Sequence, residues 1–257
     1  MFRHDRARSP LAQLACFLLA ASSVHADVAV STNATAYQNG QLGLTPNQTF
    51  HSSPIIAPLF QASHFDPAKV DNASYIFLAT SYNGVAGPMV FSSRDLSLVY
   101  ADQRWPGAFD ARAQLLNGTN YLTFWEGVQN GGHANGYCGV YDQHYNLKWN
   151  LTALAFSNGV LADLHEFKFT DDGGALFTVY ENVPFNLSSV GGPAAGLLMD
   201  GLFQEIDVAM NVVRFNWRAS DHFPISASYG DYSSSFGVGE NTGFDFFHIN
   251  AVSKVSG

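Results

Sequence analysis

The sequence predicts an all-β protein, a β-propeller of four-stranded antiparallel blades. Three observations carry that expectation. First, one hairpin signature recurs. Asp163-Leu164-His165-Glu166-Phe167-Lys168-Phe169 turns at Asp171-Asp172-Gly173-Gly174 and returns through an apolar, aromatic run from Ala175 to Glu181. Asp110 to Glu126 aligns with His165 to Glu181 without a gap, and Asn117-Gly118 stands where Asp172-Gly173 stands. Second, another kind of hairpin alternates with this one, first at an interval of about 50 residues. Third, no stretch has the period of an amphipathic helix. One hairpin of each kind makes a four-stranded unit, and repetition of such units is the propeller signature. A large β-sandwich is the alternative that regular strand spacing also permits.

The N-terminus reads as a leader. Arg3, Arg6 and Arg8 precede an apolar run from Leu11 to Ala21, and Val24-His25-Ala26 is a small-x-small cleavage pattern. The expected organisation is a signal peptide over 1–26, an N-terminal arm and leading edge over 27–70, and the propeller over 71–257. The expected location is outside the cell. The apolar run is too short to span a membrane, and no later run is longer. Six Asn-x-Ser/Thr sequons, at Asn33, Asn47, Asn72, Asn117, Asn150 and Asn186, fit a glycosylated surface. Removing residues 1–26 takes away Arg3, Arg6, Arg8 and Asp5. That leaves 9 Lys+Arg against 20 Asp+Glu, a net charge of −11. Such a balance argues against nucleic acid and anionic membranes as partners. Cys16 would leave with the leader, so Cys138 stands alone. Aromatic residues at 14% with charged residues at only 13% favour strands and turns over helices.

Along the chain, residues 27–50 are polar, and residues 51–70, with Pro54, Pro58 and Pro67, read as extended loop. Tyr75 to Ala79 is an apolar strand followed by Gly84 and Gly87-Pro88. The second hairpin kind runs Met89-Val90-Phe91 to Leu96–Tyr100, then Gly139-Val140-Tyr141 to Leu147-Lys148-Trp149, then Phe203–Asp207 to Val212–Trp217. Residues 182–200 read as a loop inserted on one face, and 226–244 as a Ser/Gly-rich loop. Asp245 to Asn250 reads as the start of a third copy of the first hairpin.

Several segments together resemble the fungal secreted branch of the arylsulfotransferase (ASST) family. They are Tyr121 to Gly127, Gly132-His133 to Tyr137, Ala162 to Phe167, Ser188 to Pro193, Asp200 to Asp207, Trp217 to His222 and Asp245 to Asn250. The likeness spans roughly residues 70–252. It implies a six-bladed propeller with a central funnel, in which a sulfuryl group passes from an aryl sulfate to a histidine and then to a phenol. It implies no nucleotide sulfate donor and no cofactor, and a small phenolic or aryl sulfate substrate. The family's His-acidic-apolar segment is His165-Glu166-Phe167 here, and its His-x-Asn segment is His248-Ile249-Asn250. His165 and His248 are therefore the expected catalytic residues, with Asn250 binding substrate from the same strand face. In active relatives the modified histidine and an arginine come from later blades. The sequence ends at Gly257, so the expectation is about four blades of six, a partial sequence, with His165 and His248 in supporting roles.

Histidine suits this chemistry. A neutral imidazole is nucleophilic near pH 7 and leaves well enough to pass the sulfuryl group on. Charge gathers on sulfonyl and phenolate oxygens, where imidazole or amide donors help. Other readings stand beside this one. The chain could be a non-catalytic extracellular scaffold or ligand-binding module. His133 and His222 sit in expected loops and read as structural. Glu126 and Glu181 end equivalent strands and could form a glycosidase pair, although blade construction explains them as well. Asp163, His165, Glu166 and His248 could suggest a metal site. His165 and Glu166 point to opposite faces of a strand, so no metal is expected there. Trp125, Trp149 and Trp217 read as core between blades.

Overall fold

The computed structural model describes residues 30–255, apart from 52, 65, 70–72, 83, 106, 158 and 233–242. The expected leader, Cys16, the Asn72 sequon and much of the Ser/Gly-rich loop lie outside the described residues.

The protein is mostly β, with antiparallel sheets. Its leading segment holds β1 (Val30–Ser31), the five-residue α1 (Ala34–Gln38), β2 (Asn47–Gln48), β3 (Ala57–Pro58) and β4 (Phe60–Gln61). Residues 51–70 are thus not only loop: β3 pairs with β2, and β4 pairs with β1. Asn33 caps α1 by accepting from the Ala36 N–H at 2.9 Å, so this sequon side chain already has a structural task.

Three meanders follow. β5 (Tyr75–Tyr82), β6 (Val85–Ser92) and β7 (Leu98–Ala101) form the first, with three strands. β8 (Phe109–Leu116), β9 (Thr119–Asn130), β10 (His133–Tyr141) and β11 (Leu147–Leu151) form the second. β12 (Ala162–Phe169), β13 (Gly174–Phe185), β14 (Gly196–Asp207) and β15 (Val212–Arg218) form the third. Both expected hairpin kinds are present at the expected turns. Asn117 at φ 49° and Gly118 at φ 79° join Leu116 to Thr119, the left-handed pair that a tight two-residue hairpin needs.

The second and third meanders touch through a single ladder position, Gly136 opposite Ala162. Side chains supply the rest of the joint. The Trp125 ring lies against Gly136, where a Cβ would come within 2.6 Å of it, and the indole N–H donates to the Ala162 carbonyl at 2.9 Å. The Gln114 amide N–H donates to the Phe167 carbonyl at 3.1 Å, and its oxygen accepts from the Phe169 N–H at 2.9 Å. Gln114 thereby replaces a backbone ladder between β8 and β12. Trp125, Cys138, Val140, Phe167, Phe177 and Val179 pack into one buried cluster across this joint.

Two expectations are corrected. Residues 182–200 are not an inserted loop. The β13–β14 ladder continues through Pro184 opposite Leu197 to Phe185 opposite Gly196, leaving 186–195 as the connection. Within the apolar Leu197-Leu198-Met199 run, Leu198 and Met199 pair on both sides, because β16 (Phe244–Asp245) runs parallel to them. Nor does Asp245 to Asn250 repeat the first hairpin. β16 stops at Asp245, and 246–250 are held by packing instead of a ladder. The Phe247 carbonyl lies so close to Gly201 that a Cβ there would come within 2.5 Å of it, and Tyr180 donates its hydroxyl to the Ile249 carbonyl at 2.8 Å.

Candidate functional site

Three histidines distant in sequence meet at one end of these strands. His165 lies in a β-bulge of β12. Ala162 faces Val179 and Phe167 faces Phe177, so residues 163–166 bulge out of the ladder. A bulge of this kind re-aims side chains at a strand end. His133 opens β10, placed by the Gly131-Gly132 turn that joins Asn130 to His133. His248 follows β16, and its ring lies 3.6 Å from where a Cβ on Gly132 would be.

The two expected catalytic imidazoles face each other, with Nε2 to Nε2 at 3.3 Å. Each is backed by a carboxylate. His165 Nδ1 bonds Asp163 Oδ1, and His248 Nδ1 lies 2.5 Å from Asp245 Oδ2. His133 Nε2 reaches the same Asp245 oxygen at 3.0 Å. The Tyr180 ring lies 4.3 Å from the His133 ring and closes the cluster on one side.

The two carboxylates differ. Asp163 is fully buried, at 0% exposure. Its Oδ1 also accepts from the Thr178 hydroxyl at 3.3 Å and the His165 N–H at 3.0 Å, and its Oδ2 accepts from the Ala134 N–H at 2.7 Å. Its hydrogen bond pushes His165 above the ordinary imidazole value, against the pull of burial. Asp245 is 5% exposed at its side chain. Burial would raise this carboxyl, but hydrogen bonds from His133 and His248 outweigh burial and leave it below the usual range. Its second oxygen, Oδ1, is buried with no hydrogen-bond partner among the described residues.

Asn250 does not share a strand face with His248, because 246–250 are not strand. It is exposed and makes no side-chain hydrogen bond to the cluster among the described residues. His133 is strand, not loop, and belongs to the cluster. His222 stacks on Trp217 at 5.1 Å and 4°, away from these rings, as a structural histidine would. His165 and Glu166 do diverge, Glu166 to Arg112 at 3.2 Å and His165 to His248, but from a bulge and not from strand alternation. Glu181 is tied to Arg218. The sequence reading missed the roles of Asp163, Asp245 and Tyr180. A signal for the aspartates was present: two of the three histidines follow an aspartate at short spacing, in Asp163-Leu164-His165 and in Asp245-Phe246-Phe247-His248.

A cavity of about 440 Å³ opens beside the cluster, lined by His133, Tyr180, Asn182 and Met199 among others. No described helix is long and apolar enough to cross a membrane.

The chain is a mostly β protein of antiparallel meanders with an imidazole–carboxylate cluster at one end of its strands. Residues 112–257 match the arylsulfotransferase (ASST) family, more than half of the chain, and the protein belongs to that family. Membership implies arylsulfotransferase-like function and aryl sulfate substrates. No curated protein and no solved structure matches the chain.

Proposed function

We propose that the protein is a secreted β-propeller that takes part in sulfuryl transfer from an aryl sulfate to a phenol, with His165 and His248 cradling the sulfuryl group. One observation carries the reading. Two imidazoles from distant segments converge on one point through Nε2, each oriented by a carboxylate on Nδ1. That arrangement fixes which nitrogen each ring presents.

Transfer breaks the aryl O–S bond as an S–N bond forms to an imidazole. It then breaks S–N as the phenol oxygen attacks and gives up its proton. Negative charge gathers on the sulfonyl and phenolate oxygens at both stages. Nε2–H donors on His165 and His248 would stabilise that charge, and Asp163 favours the protonated form of His165 that supplies one of them. The resemblance assigns the covalent step to a histidine of a later blade, so the described pair forms the cradle. The propeller reading is supported by β8 lying between β5 and β12, which would make these the innermost strands of successive blades. The sequons at Asn117, Asn150 and Asn186 are all exposed, which supports the reading of a glycosylated surface.

The test uses the intact protein with 4-nitrophenyl sulfate. Nitrophenol release should accelerate when phenol is added, and His248→Ala and His165→Ala should each abolish that acceleration. Unchanged turnover in both variants would overturn the reading. Saturable binding of the sulfate ester without turnover would favour a ligand-binding module.

A further inference from the structure

We propose that His133, Asp245 and His248 form a binding site for one divalent transition-metal cation, of which zinc is the best fit. The donor atoms, two imidazole nitrogens and a carboxylate oxygen, lie within 4.8 Å of one another. The site shares His248 with the proposed sulfuryl cradle, but its test reads metal binding and not transfer.

Convergence of donor atoms is the first argument. His248 presents Nδ1 to Asp245 Oδ2 at 2.5 Å, and His133 presents Nε2 to the same oxygen at 3.0 Å. The other nitrogen of His248 faces His165 Nε2 at 3.3 Å, the outer contact that ligating histidines characteristically make.

The second argument is the contrast between the two aspartates. Asp163 has hydrogen bonds on both oxygens, as befits a residue that only orients its histidine. Asp245 meets only imidazoles at Oδ2, and its buried Oδ1 has no hydrogen-bond partner among the described residues. An orphaned buried carboxylate oxygen is costly as a hydrogen-bond acceptor and ordinary as a metal ligand.

Donor type narrows the ion. Two imidazoles and one carboxylate suit zinc or another first-row cation and do not suit magnesium or calcium. Tetrahedral bonds of about 2.0–2.2 Å place neighbouring ligand atoms about 3.4 Å apart. Asp245 Oδ2 lies 3.0 Å from His133 Nε2 and 2.5 Å from His248 Nδ1, so a rotation of His248 opens the set. His248 is the most exposed of the three, at 35%, and is the ring freest to turn. The cavity that His133 lines gives a path for entry and for a fourth ligand.

The test is metal binding by the intact protein, freed of metal with a chelator and titrated with Zn²⁺ and Co²⁺. The expected result is one equivalent bound per chain, with the intense visible bands of tetrahedral Co²⁺. His133→Ala and Asp245→Ala should lose the site. His165→Ala should keep it with zinc affinity lowered about tenfold, as removal of an outer-shell partner does. Equal stoichiometry and affinity in folded His133→Ala and Asp245→Ala would overturn the proposal. Should those variants fail to fold, the unaltered protein decides. Tetrahedral bands saturating at one equivalent support the site, and a pale octahedral spectrum overturns it.

Discussion

The meanders β8–β11 and β12–β15 are built alike and finished differently. Aligned residue for residue, Trp125 corresponds to Tyr180, Thr123 to Thr178 and Asp110 to His165. The matched aromatics do the same work. Trp125 donates to the Ala162 carbonyl and Tyr180 to the Ile249 carbonyl, so each return strand pins the backbone of the segment that follows. Both outgoing strands bulge at the same end, between Phe109 and Arg112 in one and between Ala162 and Phe167 in the other. What leaves the bulge differs. The first sends out Asp110, which pairs with Arg112, and Arg112 in turn reaches Glu166. The second sends out Asp163 and His165, which reach His248. The scaffold repeats and the chemistry does not. A structural ion pair occupies in one unit the place that an imidazole takes in the next.

The comparison can be broken at its strongest joint first. Trp125→Ala removes a ring that is 1% exposed together with its hydrogen bond, and should cost about 3–5 kcal/mol in urea unfolding. Asp163→Ala comes next. It strands the Ala134 N–H and the Thr178 hydroxyl in the interior, for about 3 kcal/mol, whereas an ordinary surface aspartate would cost almost nothing. Tyr180→Phe keeps the ring and loses only the bond to Ile249, for about 1 kcal/mol by thermal melting. If Tyr180→Phe equals Trp125→Ala in cost, the two joints are not the related devices described above.

The smallest effect is one of pH. Burial pushes Asp110 up to about 6 from its ordinary 3.8, against the pull of Arg112. A carboxyl raised on folding stabilises fully below 3.8, and that contribution is lost as pH rises through about 6. The protein should therefore lose stability across this window relative to Asp110→Asn, by about 1 kcal/mol after allowance for partial exposure. Parallel melting curves for the two proteins from pH 4 to pH 7 would contradict it.

Much of the fold was legible because hairpins are local. Asn117-Gly118 and Asp172-Gly173 announce turns that a short window of sequence can recognise, and alternation fixes the strands beside them. The joint between meanders was not legible. It depends on Gln114 bonding the backbone of Phe167 and Phe169, contacts more than fifty residues away that no local pattern encodes. The site was half legible. Resemblance singled out His165 and His248, and the structure brings them together. It could not place His133, whose position follows from a two-glycine turn. The shared strand face expected for Asn250 and His248 is absent because strand alternation was extended past Asp245, where packing against Gly201 and Tyr180 takes over from the ladder.

Cys138 gives the same joint a clock. It is 0% exposed on β10, opposite Trp125 on β9 and Leu151 on β11, and burial raises its thiol well above the ordinary value. A thiol held this way is inert to alkylation until the strands on both sides part. Its labelling rate under native conditions therefore measures how often the second meander opens.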